Sequence, residues 1–304
     1  MAGITDLPFR RVVAGFGAGL VVSEMVASEE MVRARPEARG RAELGLGDGA
    51  TAVQLVGRDP YWMAEAARLV EARGARIIDI NMGCPARRVT TGACGAALLR
   101  EPDRALALIE AVVAAVQVPV TLKTRLGWDD AAHTAPDLAR RAEGAGIAMS
   151  AGHGRKRCRC YKGRADWAAI AAVKAAVRIP VIANGDIADA ATARAARAAS
   201  GADGVMVGRG AQGRPWVLAR IAAALHGTPV PRVPEGGALA DLVAAHYQAM
   251  LSFYGRDLGV RVARKHLGWY LDAAGARRGT LLSEDDPARV LRALPGALTE
   301  RLAA

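Results

Sequence analysis

A cysteine framed by glycine and proline, in Asn81-Met82-Gly83-Cys84-Pro85, directly follows the apolar run Arg76–Asn81. A free cysteine usually packs as a small inert side chain. A thiol on a Gly-Pro loop at the end of a strand is better explained as an acid or a nucleophile. The other apolar runs also end in polar residues or glycine: Gln54, Lys123, His153, Asn184-Gly185-Asp186 and Gly208-Arg209. One such residue would be a cap or a turn former, but six strands in succession point to a shared site. In Asn184-Gly185-Asp186 and Gly208-Arg209-Gly210, glycine lets backbone N–H groups approach an anion ahead of a helix N-terminus. Lys123 is one of only five lysines among 41 basic residues, which hints that a compact ammonium is wanted there.

The elements that must position these residues alternate. Short β-branched runs at Leu20–Ser23, Ala52–Leu55, Arg76–Asn81, Val118–Lys123, Ala148–Gly152, Ile179–Asn184 and Gly204–Val207 are expected strands. Between them Tyr61–Ala72, Pro102–Val116, Ala135–Glu143, Trp167–Ala176, Ala190–Ala199 and Gly213–Ala224 have helical periodicity. The repetition reads as βα units around a parallel sheet. The expected fold is an α/β (β/α)₈ TIM barrel whose first strand is largely missing, because Met1-Ala2-Gly3 already reads as the loop after a strand. A doubly wound sheet ranks second, since no Gly-x-Gly-x-x-Gly follows an early strand. The barrel is expected over 1–226. Residues 227–237 (GTPVPRVPEGG) read as a linker. Residues 238–304 form a small helical domain with helices at Ala238–Tyr254, Leu258–Ala273 and Pro287–Leu302.

In a barrel the loops after the strands carry function, and the last two form its common phosphate site. Phosphate contacts there, with Lys123 and Gln54 on distant strands, suggest a phosphorylated planar cofactor across the barrel mouth. The Gln54 amide suits the polar edge of a flavin, and Lys123 suits the negative charge of its reduced form. Cys94, ten residues beyond Cys84, reads as buried packing. Cys158-x-Cys160 lacks the partners that a metal site needs.

Composition narrows the partners. The 41 basic and 30 acidic residues give a net charge of +11, which suits a polyanion such as nucleic acid. The longest uncharged stretches are too short to span a bilayer. Arg10-Arg11 before a glycine-interrupted run makes a poor secretory signal. Four cysteines in 304 residues do not make a disulfide framework, so a reducing cytoplasm is expected.

At NMGCP the sequence resembles the tRNA-dihydrouridine synthases, closest to their bacterial B-type branch. The likeness runs through MAGITDLPFRR, VSEMV, QLVGRDP, DINMGCP, LKTRLGWDD, HGRKRC and YKGRADW, ANGDI, MVGRGAQGRPW and RKHLGWY. The resemblance implies a barrel that binds FMN, a helical domain and a tRNA substrate. By position, Met1, Ala2, Gln54, Lys123, His153, Asn184, Gly185, Asp186, Gly208 and Arg209 would contact the cofactor. NADPH would reduce the flavin, hydride would pass to C6 of the uracil, and Cys84 would protonate C5. Asn81 and Arg155 would grip the uracil, with Arg264, Lys265 and His266 on tRNA phosphates. Three departures from the family pattern stand out. The first strand is missing, Ser150-Ala151-Gly152 replaces a β-branched run with Lys156 in place of a threonine, and Thr91 stands where glycine is usual. Two alternatives remain: a flavin barrel acting on a free small molecule, and a tRNA-binding protein without chemistry.

Overall fold

The computed structural model describes residues 1–45, 51–131 and 133–299. All seven expected strands form. They are β1 (Val21–Ala27), β2 (Thr51–Val56), β3 (Ile77–Met82), β4 (Val120–Arg125), β5 (Met149–His153), β6 (Val181–Asn184) and β7 (Gly204–Met206). They pair in chain order, every pair parallel, as one seven-stranded sheet. This is the β/α barrel that the sequence predicts, and among the described residues no strand precedes the first helix.

The helices follow in the same alternation. Helix α1 (Leu7–Gly15) precedes β1, and α2 (Ser28–Val32) and α3 (Pro36–Arg41) lie between β1 and β2. Then come α4 (Pro60–Ala72), α5 (Arg87–Thr90), α6 (Pro102–Ala115), α7 (Ala135–Gly144), α8 (Ala171–Ala176), α9 (Ala190–Ser200) and α10 (Val217–His226). Local chemistry sets several ends. Asp59 caps α4 by accepting from the Tyr61 and Trp62 amides, with Pro60 in the first turn. Asp189 and Thr192 form a capping box on α9, which stops at left-handed Gly201. The expected helix at Trp167–Ala176 divides into a 3-10 turn, Ala168–Ile170, and α8.

Side chains alternate across each strand, so the sheet has two unlike faces. Val53, Leu55, Ile78, Ile80, Met82, Val120 and Leu122 are buried together with Met63 and Ala66 of α4 and Leu108 and Val112 of α6. The opposite face carries Gln54, Asp79, Asn81, Thr121, Lys123, Arg125 and His153. The weak strand β5 keeps its register with both neighbours. Its Ser150 hydroxyl is buried without a partner. A Cβ at Gly152 would meet only the Ile170 side chain, at 3.7 Å, so this glycine answers no steric demand.

The chain divides into two compact units at different places from the sequence boundaries. One unit is 1–7 with 19–208, and the other is 8–18 with 209–304. Helices α1 and α10 therefore belong with α11 (Gly236–Tyr254), α12 (Arg256–Ala274) and α13 (Pro287–Thr299). Aromatic packing explains the reassignment: Phe9 lies against His246 and His266, and Phe16 lies edge-on to Trp216. Gly213 (φ +67°) packs against the backbone of α12, where a Cβ would fall 2.1 Å from the Trp269 carbonyl oxygen. The expected last helix forms over Pro287–Thr299, and residues 300–302 lie outside the described residues. No helix among the described residues is long and apolar enough to cross a membrane.

His246 and His266 are buried side by side in the helical unit, ring centroids 5.0 Å apart. Burial pushes His246 down to about 4. Burial, His246 and Lys265 push His266 down to about 2. Both folded values lie below the unfolded one, so the unfolded chain binds more protons as pH falls below about 6.5. Stability contributed by the neutral rings is therefore lost from about pH 6.5 toward 4, at up to roughly 1.4 kcal/mol per pH unit for each ring. Denaturant titrations of this unit's unfolding should show that slope, reduced in His266→Leu. A slope unchanged by the substitution contradicts the assignment.

Candidate active site

The register of β2, β3 and β4 sets Gln54 beside Asp79 and Asp79 beside Thr121. Both neighbours donate to the buried Asp79 carboxylate, Gln54 Nε2 at 2.7 Å and Thr121 Oγ1 at 2.6 Å. One step nearer the strand ends, Asn81 pairs with Lys123, and Asn81 Nδ2 donates to Gln54 Oε1 at 2.8 Å. Asn81 Oδ1 in turn accepts from the backbone N–H of Gly83 (3.1 Å) and Cys84 (2.9 Å). A continuous hydrogen-bonded chain thus runs from a buried carboxylate to the cysteine loop.

Cys84 is half-buried, and the Ala96 amide donates to its carbonyl oxygen. Gly95 (φ +58°) passes so close that a Cβ would lie 3.2 Å from Cys84 Cβ and 2.9 Å from Val89. Thr91 needs no glycine: it is right-handed (φ −67°), and its hydroxyl donates to the Arg87 carbonyl oxygen. Cys94 is half-buried rather than fully packed away.

Lys123 is half-buried on β4, and its ammonium makes one long bond, 3.4 Å to the Thr124 carbonyl oxygen. Burial lowers its pKa to about 7, helped by nearby Arg125 and opposed by Asp79. Burial raises that of Asp79, against the donors Thr121 and Gln54 and the charge of Lys123. Arg125, only 2% exposed, spends its guanidinium on main-chain oxygens: Nε on Gly83 (2.7 Å), and NH1 on Cys160 (2.9 Å) and Lys156 (3.3 Å). It thereby ties the cysteine loop to the loop after β5.

That second loop has its own buried cation. Arg155 donates to the carbonyl oxygens of Lys162 and Gly163 and to Asp186 Oδ2 (2.6 Å), and one of its nitrogens lies 3.3 Å from His153 Nε2. These bonds from Nε and Nη2 make Arg155 a tie that holds the loop after β5 to Asp186. Lys156 is also committed, at 3.0 Å from His133 Nε2 and 3.2 Å from the Asp130 carbonyl oxygen. Trp128 of the β4–α7 loop lies between the Arg100 and Arg157 guanidinium groups, each 4.2 Å from its ring.

At the end of β6, Asn184 Nδ2 donates to the Met206 carbonyl oxygen at 2.8 Å, and Trp167 Nε1 donates to that of Gly185. Asp186 adopts a left-handed conformation (φ +54°). Met1 is half-buried and Ala2 exposed. Met1 Sδ comes within 3.5 Å of where a Cβ at Gly208 would stand, and the Gly3 amide donates to the Glu24 carboxylate. The N-terminal segment thus reaches the middle of β1, at Glu24, and the chain leaving β7, at Gly208. Arg209, in the turn Arg209–Ala211, belongs to the helical unit, whereas Gly208 belongs to the sheet-containing one.

The site residues expected on the helical unit fare unequally. His266 is buried with Phe9, Trp269 and His246, so it is removed from the phosphate-contacting set. Arg264 pairs with Asp285 (2.5 Å), and Lys265 is half-exposed on α12. The sequence reading missed Asp79, Thr121 and Arg125. Each lies two residues from a named site residue on the same strand, and that spacing was the available signal.

The dihydrouridine synthase (Dus) family profile matches residues 1–292. The chain is 61% identical over its whole length to a probable tRNA-dihydrouridine synthase of Rhodobacter capsulatus, covering 94% of that protein. It is 46% identical over 97% of its length to tRNA-dihydrouridine synthase B of Vibrio cholerae, covering 93% of it. Among solved structures it is similar in fold to histamine dehydrogenase from Rhizobium sp. 4-9, with a TM-score of 0.55 at 11% identity, over 81% of this chain and 46% of that one. A 6-hydroxypseudooxynicotine amine oxidase from Pseudomonas geniculata gives a TM-score of 0.51 at 13% identity, over 81% and 49%.

Gly185 tests the packing of the rim. At φ +112°, an added Cβ would stand 2.7 Å from His153 Cδ2 and 2.8 Å from Ala165 Cβ. Gly185→Ala should therefore cost about 2 kcal/mol or more in denaturant unfolding. Stability equal to the parent contradicts this geometry.

Proposed function

The chain belongs to the dihydrouridine synthase family, and on that premise we propose that it reduces uridines in tRNA to 5,6-dihydrouridine, with FMN as bound cofactor and NADPH as reductant. The observation that carries this reading is a half-buried ammonium short of acceptors, Lys123, paired in register with Asn81, whose carbonyl oxygen holds the Cys84 loop.

The donor set fits a flavin. Lys123 has hydrogen-bonding capacity to spare for a carbonyl-rich or anionic ring edge, and Gln54 and Asn81 each commit one amide hydrogen of two. Gln54, Lys123, His153 and Asn184 would face the ring, and Gly185, Asp186 and Gly208 would lie along its phosphate arm, with Met1 and Ala2 beside them. When bound, FMN would supply the hydride that saturates the uracil ring at C6, with NADPH restoring it.

The remaining work belongs to the chain. Negative charge that builds on the uracil ring is quenched by a proton at C5, and we assign that proton to the Cys84 thiol. Asn81, its carbonyl oxygen already taken by two backbone amides, offers a ring carbonyl an N–H. Arg125 and Arg155 hold the two loops that frame the thiol and the rim. The base must leave its stack to be reduced, so backbone contacts supply much of the affinity. The net charge of +11 supports this, with Arg264 and Lys265 as the helical unit's proposed phosphate contacts.

Cys84→Ala should keep the parent's flavin absorption and tRNA affinity while kcat for uridine reduction falls by about 10² to 10⁴. Turnover at the parent rate in this variant would show that the proton comes from elsewhere.

A further inference from the structure

The chain from Asp79 to Cys84 has a direction. A carboxylate accepts and does not donate, so Gln54 must turn Nε2 to it. Gln54 Oε1 then faces Asn81 and requires Nδ2 there. Asn81 Oδ1 is left for the amides of Gly83 and Cys84, which only donate. Both ends demand the same sense, an acceptor at one and two donors at the other. Thr121, hydroxyl on the second carboxylate oxygen, can donate or accept and so tolerates either protonation state of Asp79.

We propose that Asp79 is a positioning residue: by accepting from Gln54 it fixes which way the Gln54 and Asn81 amides face, and through them the backbone that presents Cys84. The consequence for substrate is specific. With Asn81 Oδ1 already holding two N–H groups, the free hydrogen of Nδ2 is what Asn81 offers a pyrimidine. It therefore meets ring carbonyls and disfavours an amino group. This rests on the uridine-reducing reading for its effect on turnover, but the direction of the chain does not.

The test uses the full chain. Asp79→Leu fills similar space without an acceptor. Asp79→Asn can still turn its carbonyl to Gln54 while its NH₂ rests on the Thr121 hydroxyl, so it should act as a rescue. Two readouts are taken: kcat and KM on unmodified tRNA, and the rate of Cys84 alkylation by iodoacetamide, resolved by peptide mass spectrometry. Asp79→Leu should lower kcat by about tenfold or more and change Cys84 alkylation at least about fivefold, whereas Asp79→Asn stays within about threefold of the parent on both. Parent-like values for Asp79→Leu, or equal damage in Asp79→Asn, overturn the proposal.

If Asp79→Leu does not fold, the cycle of Asp79→Asn, Thr121→Val and their double variant decides. In the double variant no acceptor holds the new NH₂ on the side away from Gln54, so the amide is free to turn it against Gln54 Nε2, donor to donor, and the loss should exceed the product of the singles by about tenfold. Simple additivity overturns the proposal. Because alkylation needs no tRNA, a parent without uridine-reducing activity would count against the function while leaving the positioning role to be decided by the thiol.

Discussion

In-register parallel pairing is the constraint on which the rest depends. Neighbouring strands set Gln54, Asp79 and Thr121 side by side, then Asn81 with Lys123, then Arg125, His153 and Asn184. A slip of one residue in any strand would turn its polar set into the helix-covered face and its apolar set into the mouth. The apolar face resists that slip, because Ile78, Ile80, Val120 and Leu122 lie in one core with α4 and α6. Core packing therefore fixes the chemistry of the opposite face without touching it.

That face concentrates charge where water is scarce. Asp79, Lys123, Arg125 and Arg155 are held within three neighbouring strands and the loop that follows, and each solves its burial differently. Asp79 is met by two short hydrogen bonds, and Arg125 by three main-chain oxygens. Arg155 combines main-chain oxygens with the Asp186 carboxylate. Lys123 alone is left short, and burial with Arg125 nearby lowers its pKa to about 7. A buried charge without a full set of partners is costly, and such groups gather where a ligand completes the set.

Much of this was legible in the sequence. The β-branched runs mark seven strands, and Gln54, Asn81, Lys123, His153 and Asn184 fall on one face of neighbouring strands. Lys123 stood out by composition and Cys84 by its loop. Asp79 did not stand out, because a single acidic residue inside Ile77-Ile78-Asp79-Ile80 gives no sign of its partners until the register is known. Arg155 and His266 were assigned by type and position in motif. Their burial depends on long-range packing, against Asp186 for one and Phe9 for the other, which local patterning does not carry. The grouping of α1 with the helical unit is hidden for the same reason, since α1 is near β1 in sequence and packs with α11 and α12.

The central claim is that these strand ends reduce uridine within tRNA. The most direct measurement is to incubate the purified chain, supplied with FMN and NADPH, with an unmodified tRNA transcript and map the product by nuclease digestion and mass spectrometry. The account predicts a gain of two hydrogens at discrete uridines, dependent on both the reductant and an intact tRNA. A transcript that returns unchanged, from protein that has bound flavin and tRNA, would contradict it.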